Sequence, residues 1–260
     1  MEGQLIEANM STDVVEEPAF PRISVVIPTR NEAKNLSHVL PYLPSDIHEV
    51  ILVDGHSIDG TIEEAQRLLP SIKIIQQSGK GKGNALKDGF AACTGDIIVM
   101  LDADGSADPT EIPNFVAALM QGNDFAKGSR FLKGGGSDDI TFLRRMGNAG
   151  LSLFVNALFG TRFSDLCYGY NAFWKHCLDR VVIDCDGFEV ETLLNLRMHK
   201  ANYRIVEIPS FEFLRIHGQS NLNTFRDGWR VLRTIVTERS RLHIVIRQPV
   251  IGSFAGLERE

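Results

Sequence analysis

The sequence predicts an α/β protein built on a mostly parallel β-sheet that is flanked by helices. One observation is that short apolar, β-branched segments alternate with segments whose apolar residues recur at helical spacing. Another is that three successive predicted strands end in polar, turn-forming or acidic residues. Alternating strands and helices favour parallel strands joined by right-handed crossovers. Polar groups at successive strand ends then lie along one edge of the sheet, where open α/β sheets bind ligands.

Four strands are predicted in the first part of the chain. They cover residues 23–27, 49–53, 73–76 and 97–101. Helices are predicted between them, at residues 32–43, after Thr61 and at residues 85–92. Asn31 is a suitable N-cap for the first helix, and Pro28 ends the preceding strand because proline cannot continue a central strand.

Two aspartates, Asp102 and Asp104, follow the fourth predicted strand. Propensity does not explain them there, because aspartate is depleted in strands and costly to bury. Two carboxylates at such a strand end offer hard oxygen ligands to Mg²⁺ or Mn²⁺ bridging to a diphosphate. The simpler alternative is that both aspartates cap the turn that begins at Asp108.

A loop rich in glycine and lysine, residues 78–84, follows the third predicted strand. Backbone amides at its glycines, together with Lys80 and Lys82, are suited to hold phosphate. The loop has neither the Walker A pattern nor the glycine pattern of a dinucleotide-binding fold. A flexible, solvated basic loop is the alternative, and the loop alone does not decide between the two.

Composition is that of an ordinary globular protein. Of the 260 residues, 43% are apolar and 23% are charged, which is ample for a sizeable core. The net charge of −6 argues against a sequence-independent nucleic-acid binder. Four cysteines without CxxC spacing favour reduced thiols over a zinc site or a disulfide framework. We expect a disordered N-terminal tail over residues 1–21, one domain over residues 22–240 and a C-terminal tail over residues 241–260.

Several spaced motifs together resemble family 2 inverting glycosyltransferases of the GT-A fold. The motifs are residues 26–32 (VIPTRNE), 53–61 (VDGHSIDGT), 81–85 (GKGNA) and 101–104 (LDAD). Their order and spacing match that family. The resemblance implies a GT-A, Rossmann-like sheet, and transfer of a sugar from a nucleotide-diphosphate sugar such as GDP-mannose or a UDP-hexose. The cofactor it implies is Mg²⁺ or Mn²⁺.

The resemblance also assigns parts of the site to individual residues. Contacts with the nucleotide-sugar fall on Pro28, Thr29, Arg30, Glu32, Val53, Asp54, Lys82, Asp102 and Ala103. Metal ligands fall on Asp102 and Asp104, of which Asp104 is the direct ligand and a catalytic residue. Ser106 stands where a polar residue often completes the metal site, and a hydroxyl is a weaker ligand than a carboxylate.

The second half of the chain resembles the dolichol-phosphate mannose synthase group of this family. The matching segments are residues 127–131 (KGSRF), 169–173 (GYNAF), 187–191 (GFEVE) and 215–221 (RIHGQSN). Members of this group transfer a sugar to a polyprenyl or dolichyl phosphate. The resemblance implies catalytic roles for Arg130, Arg144 and Arg215, and an acceptor site at Arg144, Arg215 and Ser220. One departure is Asn221, which stands where such synthases often have lysine.

The three arginines suit a phosphate acceptor on physical grounds. Such an acceptor is already anionic at neutral pH, so its attack on the sugar carbon needs cations more than a general base. Guanidinium groups are planar, permanently charged and well shaped for phosphate. A neutral hydroxyl acceptor would instead require a base, for which Asp165, Glu189 and Glu191 are candidates. A glycosyltransferase acting on a soluble hydroxylated acceptor therefore stays open, as does a non-catalytic partner subunit that only binds nucleotide.

Two stretches with basic and apolar residues suit a membrane surface. Residues 143–159 begin with two arginines, and residues 222–241 carry Phe225 and Trp229 among five arginines. Packing on the protein's own core is the alternative. No stretch is long enough to span a bilayer, so we expect a cytoplasmic protein with peripheral contact on the cytoplasmic face of a membrane. A membrane-anchored partner or a homo-oligomer is also kept open.

Overall fold

A computed structural model describes residues 20–218 and 223–241 of the chain. The two predicted tails therefore lie almost entirely outside the described residues. Ser220, predicted to bind the acceptor, and Asn221 also lie outside them.

Strands β1 to β9 follow one another along the chain. They are β1 (Ile23–Thr29), β2 (Glu49–Asp54), β3 (Lys73–Gln76), β4 (Ile97–Met100), β5 (Phe125–Ser129), β6 (Gly136–Ser137), β7 (Asn171–Trp174), β8 (Ile205–Pro209) and β9 (Phe211–Glu212). Within the described residues, seven of them form one sheet in the order β3–β2–β1–β4–β7–β5–β8, and β6 pairs with β9 separately. Only β7 runs antiparallel to its neighbours in the described part of the large sheet. The predicted α/β class with a mostly parallel sheet is confirmed.

Six α-helices flank this sheet in the described residues. They are α1 (Thr61–Leu68), α2 (Lys82–Ala92), α3 (Ile112–Met120), α4 (Phe142–Phe159), α5 (Val190–Lys200) and α6 (Thr224–Ser240). The helix predicted from residue 85 is α2, which begins at Lys82. Of the two lysines in the predicted basic loop, Lys82 therefore lies in the first turn of α2.

The predicted helix over residues 32–43 is wrong. Two short 3₁₀ segments, Leu36–His38 and Leu40–Tyr42, stand in its place. Pro41 lies inside this stretch, and a proline inside a helix removes a hydrogen bond and clashes with the preceding turn. Asn31 does not cap a helix here: it adopts a positive φ of 57°, and its side chain accepts a hydrogen bond from the amide of Ile58.

Alternate residues of the central strands supply two cores, one on each face of the sheet. Val25 and Ile27 of β1 pack in one core, together with Phe115 of α3. Val26 packs in the other, together with Leu86 of α2 and Leu194 of α5. Because helices cover both faces of the sheet, its central strands carry apolar residues on both faces.

The carboxyl ends of β1, β2 and β4 meet at one edge of the sheet, as predicted. Thr29 and Asp54, the last residues of β1 and β2, lie opposite each other in register. Strand β4 pairs with β1 up to Met100, so the segment that carries Asp102 and Asp104 leaves the sheet at the same edge.

We predict that alanine has opposite effects at two helical glycines. A Cβ at Gly89 of α2 would lie 2.9 Å from Cγ2 of Val53 and closer still to Cγ1 of Val26, so the helix must move off the sheet. Gly89→Ala should lower the free energy of unfolding by about 1–3 kcal/mol. Gly228→Ala is the matched control: it meets nothing within 4 Å and should raise that free energy by about 0.5–1 kcal/mol. Urea unfolding measures both, and equal effects would contradict this account of helix packing.

Candidate active site

A cavity of about 790 Å³ lies at the edge where the strands end. Most of the residues that the sequence predicted for the site line it: Pro28, Thr29, Arg30, Glu32, Lys82, Asp102, Ala103, Asp104, Ser106, Arg130, Arg144 and Arg215. The loop after β8 and β9 and the start of α6 close the cavity with Arg215, Arg226 and Arg230.

Lys82 joins Asp102 to a buried glutamate on another helix. Its ammonium lies 2.7 Å from a carboxylate oxygen of Asp102 and 2.7 Å from Oε1 of Glu191. Burial alone would lower the pKa of Lys82, but the charges and hydrogen bonds of the two carboxylates outweigh burial and raise it above its ordinary value. Lys82 is therefore a fixed cation in the cavity wall.

Gly169 provides the space for this contact. A Cβ at Gly169 would lie 2.7 Å from both the Lys82 ammonium and Oε1 of Glu191, and 3.2 Å from Oδ2 of Asp102. The backbone of the segment before β7 thus covers the ion pair, and a larger residue would displace it. Sequence reasoning gave Gly169 no such role, and only its place in a family motif marked it.

Arg215 forms the corresponding ion pair with Asp104. Its Nη2 donates to Oδ2 of Asp104 at 3.1 Å, and its Nη1 donates to Oε1 of Glu32 at 3.0 Å. The other oxygen of Asp104 accepts hydrogen bonds from the amide and hydroxyl of Ser106 at 3.0 and 2.7 Å. Burial raises the pKa of Glu32, and Asn35 and Arg215 oppose that rise. Asp104 is therefore enclosed by donors of its own chain.

The first of two local differences from the predicted site concerns Val53 and Asp54. Among the residues that the structure describes, they are not part of the cavity lining. Asp54 is fully buried, and its carboxylate accepts from the amide of Ser57 at 3.0 Å and from Nε2 of Gln76 at 3.2 Å. This carboxylate holds the loop behind the wall, whereas Gly55 and His56 line the cavity there.

The second difference concerns the glycine–lysine loop, two of whose amides are engaged within the protein. The amide of Gly79 donates to Oδ1 of Asn84 at 2.7 Å, and the amide of Gly83 donates to the carbonyl of Asp186 at 2.9 Å. A Cβ at Gly81 or Gly83 would collide with the backbone of Cys185 and Asp186. These glycines let two backbone segments pack closely, while Gly79, Lys80 and Gly81 line the cavity and the side chain of Lys80 is exposed.

Arg130 is buried among carboxylates. It makes two hydrogen bonds to Asp165, at 2.7 and 3.0 Å, and a further contact to Glu212 at 2.9 Å. Its guanidinium also lies 4.8 Å from the ring centroid of Tyr168. These contacts leave Arg130 at the cavity wall with its donors directed at protein carboxylates, which favours a role in holding that wall.

Arg144 and the arginines of α6 carry the more accessible positive charge of the cavity. Arg144 contacts Asp139 at 3.3 Å, and its side chain is 25% exposed. Arg226 and Arg230 both contact Asp227, at 3.4 and 3.5 Å. Carboxylates therefore concentrate around β4, and guanidinium groups around α4 and α6.

The aspartate pair fits a divalent cation that has few protein ligands. No cluster of three or more His, Cys, Asp or Glu side chains suited to a metal occurs in the described residues. Mg²⁺ needs no such cluster, since it usually binds one or two carboxylates and completes its shell with water and substrate phosphates. Counted at formal charge, the directly contacting groups are four acids, Glu32, Asp102, Asp104 and Glu191, and two cations, Lys82 and Arg215. That leaves a surplus of about two negative charges, which one divalent cation would neutralise.

Comparison with known proteins gives a consistent result. The sequence matches the family described as "Glycosyl transferase family 2" over residues 24–182. A dolichol-phosphate mannosyltransferase of Pyrococcus furiosus is 30% identical over 243 residues, which cover 89% of this chain and 68% of that protein. Glycosyltransferase AglJ of Haloferax volcanii is 29% identical over 216 residues, or 81% of this chain and 70% of that protein.

A solved structure with the same fold is glucosyl-3-phosphoglycerate synthase of Mycobacterium tuberculosis, in complex with Mn²⁺, UDP-glucose and phosphoglyceric acid. The TM-score is 0.69 at 20% sequence identity, and the match covers 84% of this chain and 80% of that chain. This likeness establishes the GT-A fold.

We predict that the Arg130–Asp165 pair makes stability depend on acidity. Burial alone would raise the pKa of Asp165, but Arg130 outweighs burial and lowers it below its ordinary value. The ionised pair therefore stabilises the fold fully above about pH 4, and this contribution is lost as the pH falls toward the lowered pKa.

Asp165→Asn tests this prediction by urea unfolding from pH 7 to pH 3. The variant should be less stable than the parent by about 3 kcal/mol at pH 7, because it breaks a buried pair. The difference should shrink below about pH 4, where the carboxylate of the unfolded parent becomes protonated while that of the folded parent stays ionised. A difference that stays constant over this range would contradict the assignment.

Proposed function

The chain belongs to glycosyl transferase family 2 and is a hexosyltransferase, and we propose that its acceptor is a polyprenyl phosphate. The proposed donor is a hexose bound to a nucleoside diphosphate, and the proposed reaction inverts the anomeric carbon and uses a divalent cation. Family membership confirms the resemblance carried by the spaced motifs. One observation supports a phosphate as the acceptor. Arginines line the cavity, whereas two candidate bases for a hydroxyl acceptor, Asp165 and Glu191, are each paired with a cationic side chain.

Support for the donor comes from the carboxylate end of the cavity. Thr29 and Arg30 at the end of β1, with Gly55 and His56 after β2, form a wall suited to a nucleoside. The synthase of Mycobacterium tuberculosis with this fold was crystallised with UDP-glucose and Mn²⁺. A nucleotide-sugar with its diphosphate toward the aspartate pair is the arrangement that we propose.

Support for the phosphate acceptor comes from the candidate bases. Asp165 is fully buried against Arg130, and Glu191 is held by Lys82. Glu189 does not line the cavity in the described part of the chain. A hydroxyl acceptor needs a base that can take its proton, whereas a phosphate monoester is anionic without one. The name of the Pyrococcus furiosus relative, dolichol-phosphate mannosyltransferase, agrees with this acceptor class.

The proposed reaction is a single displacement. An oxygen of the acceptor phosphate forms a bond to the anomeric carbon, and the bond from that carbon to the diphosphate oxygen breaks, with its electron pair leaving on the nucleoside diphosphate. Asp104, with Asp102 and Ser106, would hold a divalent cation, which stabilises the leaving diphosphate when bound. Lys82 and Arg215 add fixed positive charge there, and Arg144 attracts the acceptor phosphate.

The surface around the arginine end supports peripheral membrane contact. Helix α4 packs Val155 into a core cluster and buries the polar side chains of Asn148 and Ser152, whereas Phe142 and Leu153 are among its exposed residues. Helix α6 likewise exposes Phe225 and Trp229 beside the cavity arginines. Within residues 20–218 and 223–241, no helix combines the length and apolarity needed to cross a bilayer. An apolar surface rimmed by arginines suits the headgroup region of a membrane that contains anionic lipid.

We predict that transfer depends on both the phosphate acceptor and Asp104. GDP-mannose, UDP-glucose and UDP-N-acetylglucosamine, each labelled in the sugar, would be offered with polyprenyl phosphate in detergent and Mg²⁺ or Mn²⁺. One donor should give an organic-extractable, acid-labile product, and Asp104→Asn should lower its rate by at least about a hundredfold. Asp96→Asn, at the opposite end of β4, is the control and should keep the rate. Nucleotide hydrolysis without lipid product under every condition would count against this acceptor.

We also predict that α6 contributes to membrane binding. Replacing Phe225 and Trp229 by alanine should weaken binding to vesicles containing anionic lipid by at least about tenfold, because two exposed aromatic side chains lose apolar contact. Tyr42→Ala removes another exposed aromatic ring, near the 3₁₀ segments, and should bind as the parent does. Co-sedimentation measures both, and equal binding by all three proteins would refute this contact.

A further inference from the structure

Asp104, at the centre of the site, is already paired with a positively charged side chain of its own chain. One oxygen of Asp104 is contacted by the Arg215 guanidinium at 3.1 Å, and the other accepts two hydrogen bonds from Ser106. The side chains of Asp104 and Arg215 are only 20% and 16% exposed, so solvent screens their attraction weakly. A divalent cation arriving at Asp104 therefore meets a positive charge in direct contact with its ligand.

Glu32 gives the guanidinium a second carboxylate. Nη1 of Arg215 lies 3.0 and 3.3 Å from the two oxygens of Glu32, whose side chain is 7% exposed. Arg215 thus bridges two acids, one on the wall of the cavity and one at its centre. The two contacts use different nitrogens of the guanidinium, Nη1 for Glu32 and Nη2 for Asp104.

Asn35 fixes the loop that carries Arg215 independently of Asp104. Its Nδ2 donates to the carbonyl of His217 at 3.1 Å, and its Oδ1 accepts from the amide of His217 at 3.0 Å. The same Nδ2 also donates to Glu32. These bonds hold the backbone of the loop to the segment after β1 without involving Asp104.

We propose that Arg215 is a built-in counter-ion of Asp104 that a divalent cation displaces, and that Glu32 is the positioning residue that retains the displaced guanidinium. This inference rests on the proposed function, because it assumes that the cation binds at Asp104. Before the cation binds, Arg215 neutralises a half-buried carboxylate that shares the cavity lining with three other acids, Glu32, Asp102 and Glu191. After displacement, Nη2 of Arg215 stays at the cavity wall, where the diphosphate or the acceptor phosphate accepts its hydrogen bond.

The proposal predicts opposite effects of two substitutions on metal affinity. Mn²⁺ binding to the full chain, without nucleotide, would be measured by electron paramagnetic resonance. Arg215→Gln removes the competing charge and should tighten Mn²⁺ binding by about tenfold, since charges in contact at a partly buried site interact strongly. Glu32→Gln leaves Arg215 with Asp104 as its remaining acidic partner and should weaken Mn²⁺ binding by about threefold or more.

Arg144→Gln is the matched control, because it removes one guanidinium from the same cavity without touching Asp104. It should change Mn²⁺ affinity by less than about twofold. Arg215→Lys keeps the positive charge and should therefore bind Mn²⁺ more weakly than Arg215→Gln. Both variants lose the same guanidinium, so this difference reports charge and not a change in the fold. Thermal unfolding followed by circular dichroism checks that all variants remain folded.

The outcomes separate this inference from the function on which it rests. Tighter binding in Arg215→Gln, with little change in Arg144→Gln, supports the competition. If Mn²⁺ affinity rose equally in both variants, the cause would be the overall charge of the cavity, and the proposal would be overturned. Unchanged Mn²⁺ affinity in Arg215→Gln would also overturn it. Absence of Mn²⁺ binding in the parent and in every variant would overturn the metal step of the proposed function together with the competition.

Discussion

The pairing of each aspartate after β4 with a cation from a distant part of the chain is the interaction on which the site depends. Asp102 is held by Lys82 and Asp104 by Arg215. Four acids in one cavity would repel one another and lose hydration on burial. Two interposed cations make the cluster compatible with folding, and they tie α2, α5 and the loop after β9 to the end of one central strand.

Sequence reasoning was strongest where the pattern is local. The apolar runs predicted the strands, and polar residues at their ends predicted the shared edge of the sheet. The helix predicted over residues 32–43 does not form, because Pro41 disrupts helical backbone there despite apolar residues at helical spacing. The antiparallel strand β7 lay beyond the predicted strands, and its short pattern of Asn171 followed by three apolar residues carries no directional information.

The site shows the same division between local and distant information. The spaced motifs identified Lys82, Asp102, Asp104 and Arg215, all of which line the cavity. They did not reveal which acid pairs with which cation, because Lys82 and Glu191 are 109 residues apart in the chain. Asp54 shows the opposite case: its place in a motif predicted contact with the nucleotide, whereas its carboxylate holds the loop behind the wall.

The cavity has an acidic end and a basic end, and the proposed transfer of a sugar between two phosphates uses both. The donor diphosphate and an acceptor phosphate are both anionic, so they approach only where positive charge lies between and around them. In the proposed reaction, carboxylates around β4 attract a divalent cation to one end, and guanidinium groups from α4 and α6 attract the acceptor anion to the other. Under the displacement that we propose, Arg215 serves both ends, since it neutralises Asp104 before a cation binds and faces phosphate afterwards. A single arginine thus links the stability of the empty site to the binding of its substrates.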